Sequence, residues 1–149
     1  MPRFRFRLQT VLDQRQRVED ERQRDLAKLL RRRMILQNQL RQMQQTITES
    51  KRQLGSSLVG QVDMDGVARF ARYSGQTTQR AQMIVVELGR LEKLIHNARQ
   101  ALLDASRKKK ALELLRDRRY AQWKKQQDRR EHARLDELNM QRYAMEMVH

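Results

Sequence analysis

The chain has 149 residues, 38% hydrophobic and 34% charged, with 33 Lys and Arg against 18 Asp and Glu for a formal net charge of +15. With 5% aromatics and one proline, Pro2, it suits long uninterrupted helices better than a layered globular core. The lack of cysteine excludes disulfides, thiolate catalysis and cysteine-ligated zinc, and no apolar run approaches the ~18 residues that suggest a membrane span.

The first residues, Arg3, Phe4, Arg5, Phe6, Arg7 and Leu8, alternate with period two. Alone this would read as a strand, but no other segment alternates in the same way to pair with it, so a helical or extended arm is expected. It is basic and lacks the apolar stretch of a secretory signal. From Gln9 the chain is rich in Arg, Gln, Leu and Glu, all good helix formers, and a first helix is expected over about residues 5–54, its start falling somewhere in residues 4–10. Its seam reads Leu8, Leu12, Arg15, Glu19, Arg22, Leu26, Leu29, Arg33, Leu36, Leu40, Met43, Ile47, Ser50 and Leu54. These step by alternating threes and fours, the spacing that keeps one stripe facing a partner helix.

A bend is expected over residues 55–64, with Gly55 as helix C-cap and Asp63 or Asp65 as the next N-cap. A second helix then runs over about residues 65–147, with a seam at Ala81, Ile84, Leu88, Leu91, Ile95, Ala98, Leu102, Ala105, Lys109 and Leu112. Gly75 and Gly89 weaken it by roughly 1 kcal/mol each, and bending is expected near Gly75. Two such helices joined by a short bend fold back into an antiparallel coiled-coil hairpin, all-α and a single domain over residues 1–149. Pairing centred near residue 59 places Leu36 beside residue 82 and Leu26 beside residue 92. Arg33 and Lys109 interrupt the apolar seams, which usually trades stability for register.

The length mismatch leaves the last ~35 residues of the second helix, from residue 113, projecting past the first. The charge follows this layout. Residues 1–52 carry 14 Lys and Arg against 6 Asp and Glu, residues 53–106 carry 6 against 5, and residues 107–149 carry 13 against 7. The projecting stretch is thus strongly basic and holds Tyr120 and the single tryptophan, Trp123. Rings are costly to leave exposed without use, and an unpaired helix gains from a partner, so this stretch is a candidate binding surface.

Motifs for catalysis are missing: there is no GxxxxGK[ST], GxGxxG or HExxH. His96, His132 and His149 are far apart, Asp63 and Asp65 lack the other ligands of a calcium loop, and adjacent helical residues such as Asp136 and Glu137 diverge. No enzyme activity and no cofactor are expected. Nucleic-acid binding would call for basic residues on one face interleaved with stacking aromatics; Arg and Lys spread around the helices do not form one. A general coiled-coil scaffold is a further reading.

Two segments carry a family resemblance. Phe4-Arg-Phe6-Arg-Leu8-Gln-Thr-Val11-Leu12-Asp-Gln-Arg15 is similar to the start of the bacterial flagellar export protein FliJ family. Asp117-Arg-Arg119, Lys124-Lys125, Arg129-Arg-Glu131 and Leu135-Asp-Glu137 resemble its C-terminal helix. The resemblance implies a cytoplasmic component of the flagellar type III export apparatus, at the cytoplasmic face of the inner membrane by the flagellar basal body, serving flagellum assembly and motility. It implies a stalk-like coiled coil that binds the hexameric export ATPase, promotes ring assembly, and contacts the membrane export gate and export chaperones. The equivalent stalk of a virulence secretion system shares this architecture, and the Phe4–Arg15 motif favours the flagellar version. Carried over by position, Arg118, Arg119, Lys124, Lys125, Arg129, Arg130, Glu131 and Asp136 face the ATPase ring, with Tyr120 and Trp123 beside them. Phe70, Tyr73 and Met83 are the gate-binding candidates.

Overall fold

The computed structural model describes residues 2–57 and 63–148. They form two long helices and, among the described residues, no strand: α1 spans Gln9–Ser57 and α2 spans Met64–Val148. The middle of the expected bend, residues 58–62, lies outside the described residues. The chain divides into two compact units, one of Asp20–Leu103 and one of the residues up to Glu19 together with those from Asp104 onward. Within each, a piece of α1 runs antiparallel to a piece of α2.

The Asp20–Leu103 unit is built on an aliphatic seam. Leu36, Ile84, Leu91 and Ile95 are buried together, with Leu26, Leu29, Leu30, Leu40, Met43 and Leu88 packed against them. Leu36 and Ile95 retain only 2% and 1% exposure, the deepest positions among the described residues. Two ion pairs flank the seam: Arg32 to Glu87 at 2.9 Å and Arg33 to Glu92 at 3.2 Å. Arg33 is therefore not a bare interruption. Its stem lies along the seam while its guanidinium reaches Glu92 at the rim, the usual way for a long cationic side chain to share an apolar face.

The heptad reading holds closely. Among the described residues, every buried one of the two helices except Thr77 lies on one of the expected stripes, and of the stripe residues only Arg22 is exposed. Arg22 pairs with Asp25 along its own helix at 3.6 Å. Thr77 extends the second stripe by one step, four residues before Ala81. Its hydroxyl donates to the Tyr73 carbonyl at 2.8 Å, which satisfies the buried oxygen.

Of the expected caps, Gly55 is overturned and Asp63 is kept. Gly55 does not cap α1; the helix passes through it to Ser57. α2 starts at Met64, where Asp63 is the N-cap: the Asp65 backbone N–H donates to its carboxylate Oδ1 at 3.1 Å, and the Val67 N–H donates to its carbonyl at 3.2 Å. A Cβ on Gly66 would meet the same carboxylate at 3.1 Å, so the glycine leaves the cap its space. α2 runs unbroken through Gly75 and Gly89.

Because α1 continues past Leu54, the pairing is centred later than residue 59. Arg32 meets Glu87, close to that expectation, but Arg33 meets Glu92 and Glu19 meets Lys109, where residues 85 and 99 would stand.

α1 begins at Gln9, inside the expected window of residues 4–10. Residues 2–6 are not helical, and the Gln9 N–H donates to the Phe6 carbonyl at 3.1 Å to start the first turn. The arm's period-two alternation acts as it would in a strand, but against a helix: Phe6 is buried, Phe4 and Leu8 half-buried, and Arg3, Arg5 and Arg7 exposed.

Candidate functional site

The unit that unites the chain up to Glu19 with the chain from Asp104 carries the charged segment. Its seam contains a polar pair. Lys109 donates to Glu19 Oε1 at 2.8 Å, with Glu19 at 7% exposure and Leu12 and Ala105 at 6% along the same stripes. Hydrogen bonds from Lys109 and Ser106 hold the Glu19 carboxyl below its usual range; burial opposes this and the Lys109 charge adds to it. Glu113, one turn beyond Lys109, lies 3.9 Å from its ammonium.

Further along α2 the partner changes from α1 to the arm. Phe4 sits edge-on to Tyr120, with ring centroids 5.4 Å apart, and tilted against Trp123 at 5.9 Å. Tyr120 and Trp123 stack on each other at 5.9 Å. The Arg119 guanidinium lies 5.8 Å over the Phe6 ring. This corrects two expectations. The aromatic residues are not left bare, since Trp123 is half-buried and Tyr120 is 46% exposed. The projecting segment begins not at residue 113 but past the arm: every residue of 128–148 is exposed.

Arg118, Arg119, Lys124, Lys125, Arg129, Arg130, Glu131 and Asp136 are all exposed. Arg118, Lys125, Arg129 and Asp136 recur at seven, four and seven residues and share one stripe. At about 100° per residue, that stripe lies nearly opposite the ring face. Arg119 and Arg130 flank the ring face on one side, Lys124 and Glu131 on the other. The segment is thus charged around its circumference. None of these six cations, nor Arg134, joins an ion pair among the described residues. Past the arm, Leu135, Leu138, Tyr143 and Met145 stand more than half exposed, an apolar component that sequence reading passed over.

The gate candidates do not form one surface. Phe70 and Tyr73 line a groove with Ser50, Gln53 and Leu54 of α1. Met83 is 74% exposed and lies with Gln79, Val86 and Arg90 on a different face of α2. No helix is long and apolar enough to cross a membrane among the described residues.

Sequence reading missed the arm's docking site and the Glu19–Lys109 pair. The signals were present: the alternation of Phe4 and Phe6, and an acid and a base on facing stripes.

The model of one protein family, described as "FliJ: Flagellar FliJ protein", matches residues 4–147. No curated protein and no solved structure is significantly similar to the chain.

Proposed function

The chain belongs to the FliJ family of flagellar proteins, and from that premise we propose that it is a non-enzymatic stalk of the flagellar type III export apparatus that binds the hexameric export ATPase through α2 residues 118–136. On this reading it promotes assembly of the ATPase ring and links it to the membrane export gate and to export chaperones. It acts at the cytoplasmic face of the inner membrane and serves flagellum assembly and motility.

One observation supports the ring contact above the others: seven Lys and Arg over residues 118–136, all exposed and without ion-pair partners among the described residues. Clustered like charges raise the free energy of the isolated chain, and an acidic surface relieves it while also speeding encounter. Glu131 and Asp136 lend the segment a register that uniform positive charge would lack. The Phe70–Tyr73 groove is the better gate candidate, because its two rings share a surface and Met83 does not.

Arg118, Arg129 and Arg130 reversed together to Glu test the reading. Arg119 is left in place because it stacks on Phe6. Helicity by circular dichroism should be kept, since Glu is also a good helix former. Stimulation of ATP hydrolysis and of ring assembly should fall, and added salt should weaken the wild-type effect. Equal stimulation by both proteins at matched helicity removes the segment from ring binding.

A further inference from the structure

The arm and the segment it covers carry charge of the same sign. Arg3, Arg5 and Arg7 lie on the arm, and Arg116, Arg119 and Lys124 outnumber Asp117 on and beside the covered ring face. Arg5 and Arg116 even line the same open groove of about 600 Å³, with Phe4, Phe6, Tyr120 and one acid, Asp117. No hydrogen bond or ion pair joins residues 2–7 to α2 among the described residues. What holds the arm is the ring cluster of Phe4, Tyr120 and Trp123 and the Arg119–Phe6 contact. Non-directional and ring contacts hold it; charge opposes it. A segment so balanced can be exchanged for another with the same apolar group and the opposite charge.

We propose that the arm is a displaceable cover over the Tyr120–Trp123 face, and that an acidic protein surface presenting an apolar or aromatic side chain takes its place. This rests on the ring-binding reading for the partner's identity but not for the cover itself. A partner of that kind would fill the ring pocket vacated by Phe4 and neutralise the arginines on both the arm and α2. Cover and partner thereby respond to salt in opposite directions. Screening relaxes the like-charge repulsion and seats the arm more firmly, while it weakens an acidic partner's hold.

Trp123 is the only tryptophan, so its emission reports the cover without added label. Acrylamide quenching of the full-length protein should fall as KCl is raised from about 50 to 500 mM, where the Debye length shrinks from roughly 14 to 4 Å. Phe4→Ala should raise quenching at low salt and abolish its salt dependence; Arg5→Gln should lower it. Phe4→Ala should also bind the export ATPase about threefold or more tighter, because the competent state is no longer shared with the covered one. Unchanged helicity by circular dichroism shows that any change comes from the arm. Quenching equal in wild type and Phe4→Ala overturns the cover. Quenching that rises in Phe4→Ala with ATPase affinity unchanged or reduced overturns its exchange with the partner. The ring-binding reading fails separately, in the arginine-reversal experiment, and leaves the Trp123 result standing.

Discussion

The two units use one architectural pattern with different fillings. In Asp20–Leu103 the seam is aliphatic, and its ion pairs, Arg32–Glu87 and Arg33–Glu92, sit at the rim with side chains about one-quarter to one-half exposed. In the other unit the seam holds a buried Glu19–Lys109 pair, then gives way to rings and finally to bare helix. Aliphatic burial is non-directional and scales with area, whereas a buried pair adds little net stability but penalises wrong register heavily. Asp20–Leu103 is thus built to hold, and the other unit to fix register.

The largest break in that contrast should come from the aliphatic seam. Ile95→Ala removes the most buried side chain, and large-to-small changes of this kind cost about 3 kcal/mol. Chemical denaturation should show the midpoint falling with the slope retained. A loss under about 1 kcal/mol would mean that the thin two-helix core collapses around the cavity.

A smaller effect is expected at Glu19, and it carries a pH signature. Glu19→Gln should cost about 1–2 kcal/mol, toward the low end for a buried pair because no group in a two-helix layer is far from water. The folded carboxyl titrates below its unfolded value, so the pair's contribution is complete above the unfolded pKa of about 4.3 and is lost as pH falls through the lower folded value. Melting temperature measured from about pH 6 down to 3 should therefore drop more steeply in wild type than in Glu19→Gln. Parallel curves would show that the pair is not coupled to folding.

Arg33→Leu forfeits a rim ion pair worth about 0.2–1 kcal/mol and adds apolar surface to the seam, so the melting temperature should rise slightly. The removed charge should loosen pairing, visible as a second oligomeric species in analytical ultracentrifugation. A lower melting temperature would make Glu92 a stronger partner than its 55% exposed side chain suggests.

Much of this architecture was legible because a heptad seam is a local, repeated signal. Leu12, Leu36, Ile84, Leu91, Ile95 and Ala105 could be placed inside from spacing alone, and so could Glu19 as a stripe residue. What spacing could not give was the offset between helices. That offset depends on where one helix stops, and Gly55 is helical at a cost of roughly 1 kcal/mol that the local sequence gave no reason to accept. Without the offset, Lys109 could not be matched to Glu19. The arm was ambiguous for another reason: period two signals one face in and one face out, but not what lies beneath. The charged segment was visible as composition; its covered ring face depended on a contact between Phe4 and Tyr120, 116 residues apart.

The Asp63 cap has a consequence for order at the start of α2. No residue between Asp63 and Gln76 is buried, and Thr77 is the first to be so. With packing there limited to half-buried residues such as Val67 and Phe70, the cap carries a larger share of the order in the opening turns of this 85-residue helix. An N-cap of this type contributes about 1 kcal/mol, comparable to the free energy that separates a formed helix end from a frayed one. Phe70 and Tyr73 ride on those turns, so one carboxylate seven residues upstream of Phe70 sets how much of the time the two rings share a defined surface.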